Sequence, residues 1–196
     1  MDRGDKITTE QIWADLMQGN QRFRTGAPQS RDLVREREFV SQSQHPKAIV
    51  LACSDSRVSP EVIFDQCLGD LFVVRTAGNV ADKQAIGSLE YAAENLGPTL
   101  LVVIGHQNCG GVKAACAGGK APSPNLKAIL TAIRGALPSS PAADADGLRE
   151  AVIANVRHVA RQLQDRSEIL HSHVQRGELG VIVAYYRLDT GEVERL

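Results

Sequence analysis

Cys53-Ser54-Asp55-Ser56-Arg57 closes one apolar run of the chain, and His106-Gln107-Asn108-Cys109-Gly110-Gly111 closes another. Two thiolates, an imidazole and a carboxylate are donor types of a catalytic zinc centre, in which three protein ligands leave a fourth position open or exchangeable. Cys53, His106 and Cys109 supply that count. His106 and Cys109 are three apart across a strand-to-helix turn, so both can face one metal while Cys53 reaches in from a separate strand end. A metal held there would lower the pKa of a coordinated water to roughly 7, giving hydroxide at neutral pH. Asp55 and Arg57 stand two and four residues beyond Cys53; if the chain stays extended, all three side chains project to one side. Arg57 would then hold Asp55 ionised and oriented. Asp55 would accept a hydrogen bond from the hydroxide or fill the fourth position itself. A structural salt bridge at a turn is the other reading of an Asp-x-Arg pair.

Other chemistries fit these residues less well. A phosphatase thiolate loop needs an arginine where Ser59 stands. Gly105 and Gly110 have the spacing of a phosphate loop, but Gly111 occupies the lysine position. No G-x-G-x-x-G follows the first apolar run, which leaves dinucleotide binding without support. A closed structural zinc site would need a fourth ligand from Cys67 or Cys116, each of which reads as a small buried side chain.

The elements that must position these residues are legible in outline. Ala48 to Ala52, Leu71 to Val74, Leu100 to Ile104 and Gly180 to Tyr185 are runs of the kind found in buried parallel strands. Helical patterns over Pro60 to Cys67, Ala81 to Leu96, Gly110 to Ala117 and Asp144 to Gln175 alternate with them, which predicts crossover helices. Tyr186 to Val193, turning at Asp189-Thr190-Gly191-Glu192, predicts a hairpin that adds an antiparallel edge strand. The expected class is therefore α/β: a mostly parallel sheet of four strands plus an antiparallel edge strand, flanked by helices. Cys53 and His106 would sit at carboxyl ends of strands, where open α/β sheets bind ligands.

Upstream, Thr8 or Thr9 before Glu-Gln-Ile-Trp-Ala-Asp-Leu-Met reads as a capped helix with Ile12, Leu16 and Phe23 near one face. A second helix is expected over about Arg31 to Ser43. Residues 8–43 thus form a helical arm that packs either on a neighbouring subunit or back on its own sheet. Gly118 to Pro124 and Leu137 to Pro141 read as loops bracketing a short helix near Leu126 to Gly135.

At 196 residues and 43% hydrophobic content, one domain with a real core is expected over 1–196. The net charge of −1, without blocks of like charge, argues against a nucleic-acid or membrane-surface partner. Neither an apolar h-region after Met1 to Lys6 nor an apolar run of about 18 residues is present, so a cytoplasmic protein with four reduced cysteines is expected.

Taken jointly, Cys53 to Val58, Gly105-His106 through Gly111, the core segment Gly69 to Asn79 and the helix ending Gly19-Asn20-Gln21-Arg22-Phe23 resemble the β-class carbonic anhydrases over most of the chain. That resemblance implies one Zn2+ per chain on Cys53, His106 and Cys109, a catalytic Asp55–Arg57 dyad, and reversible hydration of carbon dioxide to bicarbonate and a proton. It further implies that Gln44, nine residues before Cys53, hydrogen-bonds substrate, with Phe72, Tyr91 and Gly110 at the pocket. A homodimer or homotetramer with active sites at the subunit interface is implied too. Thr76 stands where many members have asparagine. Val50 stands where some bacterial members carry a tryptophan of a regulatory bicarbonate site, while Arg75 resembles another residue of that site. The chemistry alone names no proton shuttle, and His45, His158, His171 and His173 are candidates by titration range. Hydrolysis of carbon disulfide or carbonyl sulfide on the same zinc, and a non-catalytic zinc-stabilised protein, are the alternatives.

Overall fold

Uninterrupted apolar sequence at the heart of the chain produces a sheet buried on both faces. The computed structural model describes residues 7–138 and 144–196; Met1 to Lys6 and the Ser139 to Pro141 part of the second expected loop lie outside them. Strands β1 (Ala48–Cys53), β2 (Leu71–Thr76), β3 (Leu100–His106), β4 (Gly180–Tyr186) and β5 (Val193–Arg195) form one sheet in the order β2-β1-β3-β4-β5. The first four are parallel and β5 is antiparallel to β4. Every residue of β1 and β3 is buried.

Successive side chains alternate between two layers, as strand geometry requires. Ala48, Val50, Ala52, Leu100, Val102 and Ile104 face a core that holds Ile12, Trp13 and Leu16 of helix α1 (Thr9–Thr25) and Ile63 of the single-turn α3 (Pro60–Ile63). Ile49, Leu51, Leu101 and Val103 face the opposite layer, built from α4 (Lys83–Leu96), α7 (Ala145–Arg166) and α8 (Glu168–Gln175). A third cluster, under α5 (Gly110–Ala117) and α6 (Pro124–Arg134), closes the end of the sheet that carries Cys53 and Cys109.

The two helices of the N-terminal arm differ in how they pack. Thr8 and Gln11 form a reciprocal capping box that starts α1, and α1 folds back on its own sheet. Buried Asn20 secures it: the side-chain amide donates to Ile63 O and Gly191 O, and its oxygen accepts from Val193 N. By contrast α2 (Leu33–Phe39) buries none of its residues and is shorter than the expected 31–43.

Two other helices differ from expectation for local reasons. The pattern over Pro60 to Cys67 yields only one turn of helix, because Asp65 adopts a left-handed φ of 47° that a helix cannot continue through. The single helix read over Asp144 to Gln175 is two. Ser167 leaves helical geometry, and its hydroxyl accepts from Leu170 N to cap α8 while donating to Glu90 Oε1.

The sheet order sets the site. From β1 the chain crosses to β2 on one side and later to β3 on the other, so the carboxyl ends of β1 and β3 flank a topological switch point. Cys53 and His106 lie two and three residues beyond Leu51 and Val103, the last positions at which β1 and β3 pair with each other. Gly105 lets α7 approach there: a Cβ at that position would come within 2.8 Å of Val152 Cγ1.

Candidate metal centre

The two halves of the sequence pattern meet at this switch point. One ligand atom each from Cys53, His106 and Cys109 lies within 4.8 Å of the others, and all three residues are buried. The two sulfurs are 4.0 Å apart without a disulfide. Cys67 and Cys116 are only partly buried and stand outside this group.

The donor states follow from what surrounds each atom. His106 Nδ1 lies 2.9 Å from Gln107 O; a carbonyl only accepts, so Nδ1 carries the proton and Nε2 keeps a lone pair. Nε2 is buried and has no hydrogen-bond partner, an arrangement that costs free energy unless something electrophilic occupies that direction. The Cys53 thiol is pulled well below the usual thiol range, chiefly by the Cys109 thiol, with His106 and the Gly78 amide adding to it against burial. Cys109 is pushed the other way by Cys53 and by burial. The opposed shifts leave one thiolate beside one thiol, and both sulfurs could ionise at this distance only with a cation between them. The orphaned nitrogen and the paired sulfurs together fit a zinc ion and fit poorly with an empty apolar core.

Three residues from elsewhere in the chain shape the Cys53 side. Gly78, at a φ of 66° within the turn Ala77–Asn79, donates its N–H to Cys53 Sγ at 3.3 Å. Asn155 holds that turn by donating to Gly78 O. Arg75 spans the strand end, with Nε on Cys53 O at 3.0 Å and Nη2 on Asp55 O at 2.7 Å. Sequence reasoning linked Arg75 to a different role and missed Gly78 and Gln107; among these only the glycine of Ala77-Gly78-Asn79 carries a local signal, its tolerance of positive φ.

Asp55 and Arg57 pair as expected, though not by the expected route. The chain leaves extended geometry after Cys53 and turns, with Val58 N on Asp55 O. Asp55 Oδ1 accepts from the Arg57 amide at 3.0 Å and from Nε at 2.9 Å, while Oδ2 accepts from Nη2 at 2.8 Å. This Asx-type turn builds the pair locally. Arg57 holds the Asp55 carboxyl well below the usual carboxylate range. Asp55 Oδ2 borders the ligand cluster, 3.9 Å from His106 Nε2.

Gly110 begins α5 directly after Cys109. Gln44, Phe72 and Tyr91 are not brought to the cluster within this chain. Gln44 is exposed ahead of β1, and Phe72 pairs in register with Ile49, four residues before Cys53 and so about 13 Å along the strand. Phe72 stacks obliquely on Tyr91, which is 52% exposed. Thr76 donates to Val80 O. His173 is engaged between Glu94 and Glu178, beside the amino ends of the central strands and away from the cluster.

A family model described as carbonic anhydrase matches residues 48–193. Carbonic anhydrase 2 of Mycobacterium tuberculosis is 39% identical over 186 residues, spanning 91% of this chain and 88% of that protein. The carbonic anhydrase of Mycolicibacterium smegmatis is 37% identical over 186 residues, spanning 93% and 90%. Among solved structures, a Coccomyxa β-carbonic anhydrase in complex with acetazolamide is similar at a TM-score of 0.75 and 28% identity, covering 83% of this chain and 77% of that one.

Proposed function

Because this chain belongs to the carbonic anhydrase family, in its β class, we infer that the cluster at the switch point is its working centre, with zinc held by Cys53, His106 and Cys109. The enzyme catalyses reversible hydration of carbon dioxide to bicarbonate and a proton. The observation that carries the site assignment is the convergence of three buried donors within 4.8 Å, one of them the unpartnered His106 Nε2.

Cys53, His106 and Cys109 would hold the zinc, which would supply activation of water at neutral pH, since a catalytic zinc brings the pKa of its water to about 7. The chain's own residues do the rest. Asp55, kept ionised by Arg57, can only accept, so its Oδ2 takes the hydrogen bond of the attacking water and turns a lone pair toward substrate. For the same reason Asp55 cannot keep the released proton at neutral pH, and the proton leaves to solvent. Gly78 N–H and the Arg75 clamp hold Cys53 and the dyad in one geometry. Gly110, at the first turn of α5, offers backbone amide polarity to substrate oxygens.

Chain 1–196 acts as one domain in a homodimer or homotetramer; within the arm, 8–43, α1 stays on its own sheet and the part beyond it serves the second copy. Supporting this are Phe39 at 89% exposure, a helix α2 with no buried residue, and an edge strand β2 whose apolar side chains are only partly covered. Gln44, Phe72 and Tyr91 reach a site by being lent across that interface. No helix among the described residues is long and apolar enough to cross a membrane. A cytoplasmic location suits a site whose thiols must stay reduced.

The experiment is zinc analysis together with carbon dioxide hydration and sulfide release from carbon disulfide on one preparation. One zinc per chain with fast hydration is expected. Zinc with sulfide release alone would move the reading to the sulfur analogue, and zinc with neither activity would make the centre structural.

A further inference from the structure

Only Gln107 and Asn108 separate the ligands His106 and Cys109, so whatever fixes Gln107 fixes the direction from which both approach. Gln107 is held at three points by one distant hairpin. Its amide N–H donates to Tyr186 O at 2.8 Å at the end of β4. Its side-chain NH2 donates to Asp189 Oδ2 at 3.1 Å, and its side-chain oxygen accepts from the Asp189 amide at 3.1 Å. The hairpin is itself closed by Arg187 N on Glu192 O and Gly191 N on Arg187 O. Arg187 also pairs with both Asp189 oxygens, at 3.3 and 3.4 Å. The remaining polar group of Gln107, its carbonyl, receives the Nδ1 proton of His106.

We propose that Asp189 is a positioning residue for the metal centre: through its reciprocal pair with Gln107 it aims the carbonyl that fixes the tautomer and ring orientation of His106. This rests on the zinc assignment above. The physical reason is that an imidazole ligand binds only through the nitrogen left unprotonated, and the partner of the other nitrogen decides which one that is. Asn108, at a φ of 56°, then turns the chain so that Cys109 faces the same point.

The test uses the zinc-loaded full chain, with zinc affinity measured by chelator competition and the visible bands of the cobalt-substituted protein as a geometric readout. Asp189→Ala is expected to weaken zinc binding about three- to tenfold and to shift the cobalt bands, with Asp189→Asn restoring most of both because it keeps an acceptor. Thermal unfolding should show a larger loss in the zinc-loaded than in the zinc-free Asp189→Ala protein. Gln107→Ala removes both bonds of the pair, including the one from the Asp189 amide, and should give at least as large a loss, with the double variant no weaker than Gln107→Ala alone. Unchanged zinc affinity and unchanged cobalt bands in Asp189→Ala or Gln107→Ala would overturn the proposal, as would an equal fall in thermal stability with and without zinc. A wild-type protein that takes up no zinc would overturn the zinc assignment and this proposal together.

Discussion

Asp55 Oδ2 stands 3.9 Å from His106 Nε2 while both Asp55 oxygens are engaged by Arg57. The carboxylate therefore overlooks the ligand cluster and is held by its own turn, close enough to receive a hydrogen bond from a group bound there. Geometry of this kind separates a centre that holds metal from one that uses it.

Gly78 is needed for its φ of 66° and for the space it leaves, since a Cβ would approach Ile133 Cδ1 to 2.6 Å. Gly78→Ala should destabilise by about 2 kcal/mol and weaken zinc retention by disturbing the amide on Cys53 Sγ. Adding Ile133→Val removes the clashing methyl and should recover the packing part alone. Urea unfolding and zinc analysis of the single and double variants check this; full recovery of both would show that the backbone conformation is unimportant.

Arg75 joins the backbone carbonyls of Cys53 and Asp55, so it sets how far the dyad stands from the ligands. Lysine cannot span both oxygens with a planar fork. Arg75→Lys should keep zinc and lower the kcat of hydration by about tenfold, the scale expected when reacting groups are slightly misplaced. Wild-type kcat in Arg75→Lys would remove the clamp from the mechanism.

Asp65 ties the last turn of α1 and the segment after it to the end of α3, accepting from Arg22 Nε at 2.5 Å, Arg31 Nη2 at 2.7 Å and Gln29 N at 3.1 Å. Burial alone would raise its carboxyl, but Arg22, the Gln29 amide and Arg31 outweigh it and the net direction is down. A folded pKa below the unfolded value of about 3.9 means the contribution to stability is complete above that pH and fades as pH falls through the folded value. Asp65→Asn should cost about 2–3 kcal/mol at pH 7. In urea titrations that gap should narrow below about pH 4; a gap independent of pH would sink the idea.

Exposed Phe39 on α2 is the side chain best placed to meet a second copy. Sedimentation at micromolar concentration should give a dimer or tetramer for the wild type, and Phe39→Glu should stay folded while its assembly weakens by about tenfold or more. A monomeric wild type would contradict the interface reading of Gln44, Phe72 and Tyr91.

What the sequence made legible is what is local. Cys53 and His106 are readable because each ends an apolar run, and runs buried on both faces must become central strands. The hairpin after Tyr186 is readable from its turn residues. The Asp65 clasp and the Gln107–Asp189 pair are not, because their partners lie 34 or more residues away and polar side chains reveal no partner by type. The helix break at Ser167 hides for a related reason: its hydroxyl caps α8 and reaches Glu90 only once α4 is packed alongside.

The most direct test compares zinc content and carbon dioxide hydration in the wild type and in Asp55→Asn, measured on the same preparations. We expect one zinc per chain in both proteins and hydration reduced about 100-fold in Asp55→Asn, because an amide can donate where the mechanism requires an acceptor. Undiminished hydration in zinc-loaded Asp55→Asn would contradict the role of the Asp55–Arg57 pair at this centre.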